Sequence, residues 1–324
     1  MGLIATQTIT GPTAWCASDF VNDNSWIRPL SKMHILEIEQ ALSDLKSRGL
    51  KFPNFGKDDF HLPSLSAVLA DYMAELETGS GFMLIRGIPV DRYDDDDIQS
   101  IYWGLGLHMG KAVRQNPQGD LIGKVMNVGD LKDRQTRVYE TNAYLPYHTD
   151  PTDVVGLLCV RKAKSGGISS LVSSTSLYNE ILTNHPEYLS CLYRPMFYPH
   201  LGGDKPGMSP IFSFHKGQLT CRYLRQYLEL GHDMMGAPLS AVELEAFDII
   251  DSIIHDKSMR IDMLMEPGDL QLVNNYVVMH SRTSFEDFDD IQLRRKKLRL
   301  WLRTQGSREL GYDFPGRDGF PDPE

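Results

Sequence analysis

Cysteine is scarce in this 324-residue chain, and the few that occur are scattered. There are four, without a Cys-x-x-Cys pair or a short cluster: Cys16, Cys159, Cys191 and Cys221. Disulfide scaffolds and structural zinc motifs need cysteines at characteristic close spacings, so we interpret these as buried, reduced thiols. The N-terminus also lacks the basic start and apolar stretch of a secretory signal. Together these absences predict a cytoplasmic protein.

Long apolar runs and an excess of positive charge are also missing. No segment approaches the roughly 20 apolar residues that a membrane-spanning helix needs. The 33 Lys and Arg residues against 43 Asp and Glu residues give a formal net charge of -10, so no overall field attracts nucleic acid or anionic lipid. We therefore expect a small-molecule substrate as partner, and neither nucleic acid nor a membrane.

The signature loops of common nucleotide-binding proteins and serine hydrolases are absent too. The chain contains no GxxxxGK[ST] loop for phosphates and no GxSxG turn for a nucleophilic serine. Gly104, Gly106 and Gly110 miss the GxGxxG spacing by one residue and follow a helical pattern instead of a strand. We interpret these glycines as packing or turn residues.

The order of local patterns predicts a mainly β fold with flanking helices. Apolar residues recur at helical spacing over 31–49 and 65–76, and a short buried strand follows at 82–85. From about residue 153 the chain turns to short strand-like runs separated by Gly and Pro turns. Strands that do not alternate with helices favour an antiparallel barrel or sandwich over a doubly wound parallel sheet.

We predict a single domain, because no repeat or low-complexity linker divides residues 1–324. The predicted domain has a helical N-terminal part over about 1–80 and a barrel core over about 81–303. A C-terminal tail then covers 304–324.

The first candidate for chemistry is the segment Tyr147-His148-Thr149-Asp150. Residues two apart in an extended strand share a face, so His148 and Asp150 can occupy neighbouring positions on one metal ion. A His-x-Asp triplet also arises by chance in a chain of this composition. The segment therefore needs a further ligand before it indicates a metal site.

A second histidine, His280, supplies that ligand. It lies shortly after the strand-like run 269–273 and far along the chain from His148, where closure of a barrel can bring the two together. Two histidines and one carboxylate on one side of a metal form the facial triad of non-haem Fe(II) oxygenases, which leaves coordination positions open. Zinc also accepts two His and one Asp, so the ligands alone leave the metal undecided.

A basic run near the end of the chain is a candidate anion site. It reads Arg294-Arg295-Lys296-Lys297-Leu298-Arg299 and continues into an apolar stretch. A solvated basic edge of the sheet is one interpretation. In a strand, however, Arg295 and Arg299 share a face opposite Leu298, and an arginine inside an apolar barrel needs an anionic partner. A dicarboxylate cosubstrate supplies one through a bidentate contact.

The order of these motifs resembles the Fe(II)/2-oxoglutarate-dependent dioxygenases of the taurine and 2,4-dichlorophenoxyacetate type. It runs from His148-x-Asp150 through the turn at 165–167 to His280 and Arg295. The resemblance begins at the strand and turn 81–87 and covers about residues 80 to 303. It implies a double-stranded β-helix, which is a jelly-roll barrel like that of the cupins, with His148, Asp150 and His280 as iron ligands.

The resemblance also implies which residues hold the cosubstrate. Arg295 and Ser169 would contact the distal carboxylate of 2-oxoglutarate. The gap from His280 to Arg295 is longer than in close relatives, which leaves Arg294 or Arg299 as alternative carriers of that role. Arg299 also matches a position that in some members meets an anionic group on the substrate.

With Fe(II), 2-oxoglutarate and O2 as cofactors, the implied reaction is hydroxylation, desaturation or cyclisation of a small anionic or amino-acid-like substrate, with release of succinate and CO2. Five residues are candidates for substrate contacts near the open side of the metal: Gln115, Asn116, Tyr144, Asn275 and Arg299. Two other interpretations stay open. One is a metal-dependent jelly-roll enzyme that does not use 2-oxoglutarate, and the other is a barrel that binds a small acid without turnover.

Overall fold

The computed structural model describes residues 3–129, 140–201 and 205–320. Within these ranges lie seven α-helices: α1 Lys32–Ser47, α2 Leu65–Thr78, α3 Asp95–Met109, α4 Ser174–Asn184, α5 Leu189–Leu192, α6 Arg225–Met234 and α7 Ala241–His255. The strands of the same ranges are β1 Ile27–Pro29, β2 Phe82–Arg86, β3 Lys111–Val113, β4 Ile122–Met126, β5 Leu145–His148, β6 Val154–Arg161, β7 Ser165–Gly166, β8 Ser169–Ser173, β9 Met196–Tyr198, β10 Gly207–Ser209, β11 Phe212–His215, β12 Gln218–Cys221, β13 Arg260–Met263, β14 Leu270–Asn274, β15 Val278–Arg282, β16 Phe285–Glu286 and β17 Lys296–Arg303.

Eight of the strands form two facing layers. The larger sheet contains the order β4-β17-β6-β14, extended by β2 and β1 at one side and by β3 at the other, while the smaller sheet has the order β5-β15-β8-β13. The chain passes back and forth between these layers, and the pairs within them are antiparallel; only the added pair β1–β2 is parallel. This is the predicted double-stranded β-helix with flanking helices.

The N-terminal helices cover the outer face of the larger sheet. Ser31 caps α1 and Asp94 caps α3, each through its side chain. Leu298 and Leu300 of β17 point into the apolar layer between this sheet and the helices. A Cβ atom on Gly106 would lie only 2.3 Å from Leu300, so this glycine is a packing residue, as expected.

A second apolar layer lies behind the smaller sheet. Val172 of β8 and Met279 of β15 pack there with Phe247 and Ile250 of α7. The described part of the C-terminal tail also packs on the β core, because Arg317 pairs with buried Asp153 at 2.7 Å. A third apolar cluster, which includes Val155 of β6, Leu171 of β8 and Trp301 of β17, lies between the two sheets. No described helix combines the length and the apolar character needed to cross a membrane.

Candidate active site

The two predicted histidines lie side by side on adjacent strands. His148 ends β5, and His280 in β15 is its direct cross-strand partner, with the ring centroids 4.2 Å apart. Asp150 follows two residues later, in the turn after β5. The three side chains are buried, and each offers a ligand atom within 4.8 Å of the others. The structure therefore brings together the His-x-Asp pair and the distant histidine, as predicted.

Hydrogen bonds orient these side chains toward one another. His148 donates from Nδ1 to the carbonyl of Pro146 at 2.8 Å, which leaves Nε2 free to bind a metal. The Asp150 amide donates to Asn275 Oδ1 at 3.0 Å, which fixes the turn. Asp150 Oδ2 is buried without a hydrogen-bond partner in the described part of the chain. An unsatisfied carboxylate oxygen beside two imidazoles fits a bound cation.

The protonation states also suit a metal. Burial, with His148 close by, lowers the pKa of His280 to about 3, and burial lowers the pKa of His148 as well. Both imidazoles are therefore neutral near pH 7, which is the form that binds metals. Burial acts to raise the pKa of Asp150, but Arg299 and the two histidines outweigh it, so this pKa is lowered and the carboxylate stays ionised.

A cationic region lies at the other end of the same cavity. We call it the anion pocket and define it by Ser169, Arg282, Arg295 and Lys297, which line the cavity together with both histidines. Each of its members is at most 4 % exposed. Arg295 Nη1 has no hydrogen-bond partner among the described residues, nor do Arg282 Nε and Nη1. Buried guanidinium nitrogens without partners indicate a site for an anion.

The predicted Gly-Gly turn shapes this pocket. Gly166 and Gly167 have φ angles of +75° and +69°, which glycine adopts without strain. A Cβ atom on Gly167 would lie 3.4 Å from Arg295 Nε. The turn thus lies directly against Arg295, and Ser169 follows it at the start of β8.

The three arginines proposed for the distal carboxylate take different positions. Arg294 points away from the cavity and donates to the carbonyls of Asn127 at 2.9 Å and Phe288 at 3.1 Å. Arg295 and Arg299 both line the cavity. Because β17 begins only at Lys296, Arg295 precedes the strand, yet it shares the inner side with Arg299.

Arg299 lies nearer the metal cluster than Arg295 does. Its Nη1 atom is 3.9 Å from Asp150 Oδ1. Gln115 holds it in place, because Gln115 Oε1 accepts from Arg299 Nε and Gln115 Nε2 donates to the Arg299 carbonyl, both at 2.7 Å. The guanidinium also lies 4.6 Å from the ring centroid of Trp301. This is a well-oriented cation at the edge of the metal site.

The remaining substrate candidates are dispersed. Asn116 lines an adjacent surface cavity with Gln115 and is bound to Asp120 at 2.8 Å. Tyr144 is 41 % exposed and its hydroxyl contacts His255 Nε2 at 2.9 Å. Asn275 is buried beside Asp150, as its hydrogen bond to the Asp150 amide shows.

The cavity residues that were not predicted from the sequence include Gln271, Arg282 and Lys297. Arg282 lies two residues after His280, and Lys297 lies two residues before Arg299, so the strand alternation used for other residues could have found both. Gln271 of β14 is 1 % exposed, and neither its amide oxygen nor its amide nitrogen has a described partner. It lies in an ordinary apolar strand pattern that carries no signal for a site.

A facial His-Asp-His cluster inside a double-stranded β-helix defines a non-haem metal oxygenase. The chain belongs to the taurine catabolism dioxygenase TauD, TfdA family, whose model matches residues 46–301. This membership confirms the predicted enzyme class, with Fe(II), 2-oxoglutarate and O2 as its cofactors. The predicted resemblance is confirmed over most of the chain.

Individual relatives agree with this assignment. FR-33289 synthase from Streptomyces rubellomurinus is 31% identical over 95% of this chain and 94% of its own length. The taurine hydroxylase-like protein SAT17 from Stachybotrys chartarum is 25% identical over 93% and 80%, respectively.

Solved structures confirm the fold. Asparagine oxygenase, in complex with Fe(II), 2S,3S-3-hydroxyasparagine and succinate, matches 86% of this chain and 94% of its own with a TM-score of 0.68 and 17% identity. The non-haem iron oxygenase OrfP, in complex with Fe and alpha-ketoglutaric acid, matches the same shares with a TM-score of 0.63 and 13% identity.

Proposed function

We propose that the protein oxidises a small amino-acid-like or anionic substrate at an iron held by His148, Asp150 and His280. The observation that carries this proposal is the convergence of two neutral imidazoles and one ionised carboxylate at the cavity. When bound, iron would use O2 to oxidise both 2-oxoglutarate, to succinate and CO2, and a C–H bond of the substrate. The chain's own residues position the reactants and keep water out.

Within this proposal, Arg295 and Ser169 hold the distal carboxylate of 2-oxoglutarate. Arg295 is buried, lines the cavity and has an unpartnered Nη1 atom, whereas Arg294 is turned toward backbone carbonyls outside it. The attraction between a guanidinium and a carboxylate is stronger in a buried cavity than at the surface, because water screens it less. Arg299, held by Gln115 near the metal ligands, orients an anionic group of the cosubstrate or substrate.

The substrate class is proposed from charge and from the relatives. Asparagine oxygenase and OrfP have been crystallised with hydroxyasparagine and hydroxyarginine, respectively. An amino-acid-like substrate would present a carboxylate to Arg299 and reach Gln115 and Asn116 at the adjacent cavity. Tyr144 and Asn275 stay candidates from the sequence; the contact of Asn275 with the Asp150 amide supports a role in positioning the metal ligand.

The test is a substrate screen on the anaerobic protein loaded with Fe(II) and 2-oxoglutarate. Binding of the 2-oxo acid to iron is followed through its visible charge-transfer absorption, and amino acids and organic acids are added in turn. A true substrate is expected to shift this band and, after air is admitted, to yield equal amounts of succinate and oxidised product. Failure of the protein to form the band, or to form succinate with any substrate, would contradict the proposal.

A further inference from the structure

The inner side of β17 carries more positive charge than a single carboxylate needs. Arg295, Lys297 and Arg299 all line the cavity, while Leu298 and Leu300 at the alternate positions point into the helical layer. Lys297 belongs to the anion pocket, is 3 % exposed and lies between the two arginines along the chain. It is therefore a charged side chain enclosed between two sheets.

Lys297 has only neutral contacts in the described structure. Its Nζ atom donates to Ser169 Oγ at 3.1 Å and to the thioether sulfur of Met265 at 2.8 Å. Its direct partner across the sheet is Cys159, a buried thiol whose pKa is raised by burial. A thioether is a weak acceptor, so Lys297 can exchange it for a stronger hydrogen-bond acceptor.

The nearby carboxylates contact other groups, although Asp287 Oδ2 has no hydrogen-bond partner among the described residues. Asp269 accepts from Arg86 Nε and Nη2 at 2.8 and 2.9 Å, and Asp287 accepts from the backbone amide of Arg295 at 2.8 Å. Neither forms an ion pair with Lys297 within the described ranges. The two guanidinium groups of the pocket have partial compensation from Phe285, whose ring centroid lies 4.7 Å from Arg282 and 5.1 Å from Arg295.

We propose that Lys297 is a second cationic contact for the distal carboxylate of 2-oxoglutarate, beside Arg295, with its Nζ atom exchanging the Met265 sulfur for a carboxylate oxygen. This inference rests on the proposed function, because it adds a residue to the same cosubstrate site. Ser169, whose Oγ already accepts from Lys297 Nζ, would then bind the same carboxylate beside the lysine. The site is thereby specific for 2-oxo acids that carry a second negative charge at the far end.

The electrostatics of the pocket support this role. Burial, followed by the charges of Arg295 and Arg282, lowers the pKa of Lys297 to about 7. The groups that face it are Arg295, Cys159, Arg282 and Asp269, and the last is paired with Arg86. A bound carboxylate favours the ammonium form, so binding of the dicarboxylate would draw a proton onto Lys297 near neutral pH.

The experiment compares two 2-oxo acids of equal chain length. 2-Oxoglutarate has the distal carboxylate, whereas 2-oxovalerate has a methyl group in its place. Dissociation constants are measured anaerobically on Fe(II)-loaded protein by the charge-transfer band, for wild type and for Lys297→Met. The matched control is Lys296→Met on the same strand, whose native side chain points the other way and pairs with Asp95 at 2.6 Å.

For Lys297→Met we expect 2-oxoglutarate to bind about 10- to 100-fold more weakly, the range for loss of a hydrogen bond to a charged group. The dissociation constant for 2-oxovalerate should change less than about threefold, because that ligand has no distal charge. Lys296→Met should leave both constants unchanged. Lys297→Gln keeps a polar group beside Ser169 and should show the same selective loss, so that a misplaced serine cannot account for it.

Two outcomes overturn the inference. If Lys297→Met binds 2-oxoglutarate as well as wild type does, the lysine makes no contact with the carboxylate. If it weakens both 2-oxo acids equally, the role of Lys297 is structural. Wild-type protein that binds 2-oxoglutarate in these experiments upholds the proposed function, whereas wild-type protein that binds neither acid contradicts both proposals.

Discussion

The two ends of the cavity have opposite electrostatic needs. At the metal end, the ionised carboxylate of Asp150 lies beside two neutral histidines, and its Oδ2 atom has no described hydrogen-bond partner. At the other end, the anion pocket contains Arg282, Arg295 and Lys297, which form no ion pair with any described carboxylate. One end therefore favours a cation and the other an anion.

This difference explains how a buried polar cavity is tolerated in the folded protein. At the metal end Arg299 Nη1 lies 3.9 Å from Asp150 Oδ1, but Asp150 Oδ2 has no described hydrogen-bond partner, so a ligand can supply further counter-charge there as well as at the anion pocket. An unpaired buried charge lowers stability. A ligand that binds a metal through one end and carries a carboxylate at the other satisfies both. Ligand binding at this site is therefore expected to stabilise the folded protein.

The largest effect is expected when the metal end is broken. Asp150→Ala removes the only carboxylate of the His148–Asp150–His280 cluster and should weaken binding of Fe(II) or Co(II) by more than about 100-fold, since changes beyond the ligands themselves already cost 10- to 100-fold. Anaerobic calorimetric titration measures this constant. Asp289→Ala, an exposed carboxylate outside the cluster, is the control; equal affinity in both variants would contradict the assignment of Asp150.

Breaking the anion end at Arg295 should have the next largest effect. Arg295→Met removes the buried guanidinium and should weaken 2-oxoglutarate binding by at least about 30-fold, as expected for loss of one partner of a buried charge pair. Arg294→Met changes the neighbouring arginine that points outside the cavity and should bind as wild type does. The charge-transfer titration separates them, and the reverse ranking would transfer the role to Arg294.

The ligand-free protein should become more stable when one positive charge is removed from the anion pocket. Lys297→Met should raise the melting temperature of the ligand-free protein by a few degrees at pH 7. The substitution removes a buried positive charge together with its repulsion by Arg295 and Arg282. The pKa of Lys297 is lowered to about 7 in the fold and is about 10.4 when unfolded. Unfolding therefore takes up a proton between these values, and wild-type stability rises as the pH increases across that window.

The pH dependence distinguishes this explanation from a simple packing change. The stability difference between Lys297→Met and wild type should be largest at or below pH 7 and should shrink toward pH 10. Thermal unfolding at several pH values, with Lys296→Met as control, measures it. A difference that does not change with pH would show that the native lysine has an ordinary pKa.

A smaller effect on metal affinity is expected from Asn275, which positions Asp150. Asn275→Ala removes the acceptor for the Asp150 amide and should weaken metal binding about tenfold, the lower range for residues that orient a metal ligand. Asn116→Ala, at the adjacent cavity and bound to Asp120, should leave the metal affinity unchanged. If both variants bind metal equally well, Asn275 has no role in orienting Asp150.

Much of the metal end could be predicted from the sequence. A short His-x-Asp segment and a later histidine after a strand were sufficient to predict the three side chains that the structure brings together. The local structure that brings His148 and Asp150 together differs from the prediction. Strand β5 ends at His148, and Asp150 lies in the turn that follows. The turn, held by Asn275, brings the carboxylate to the histidines where strand alternation had been expected to do so.

The anion end could be predicted less well. A run of four basic residues has no hydrophobic pattern of its own, so Arg294, Arg295, Lys296 and Lys297 are equivalent until the start of the strand is known. The structure places the two lysines on opposite faces of the strand. Lys296 pairs with Asp95 outside the cavity, whereas Lys297 is buried inside the cavity. Gln271 could not have been predicted, because only the three-dimensional contacts show that its amide lacks partners.

The pairing of β15 with β8 has a consequence for the length of the cosubstrate. His280 lies opposite Leu171, and Arg282 lies opposite Ser169, one two-residue repeat further along. That repeat is about 6.8 Å in an antiparallel strand, so the rigid backbone sets the separation between His280, a proposed metal ligand, and Ser169, a proposed contact of the distal carboxylate. A 2-oxo acid one methylene shorter or longer than 2-oxoglutarate should bind less well, because neither strand can slide relative to the other to accommodate it.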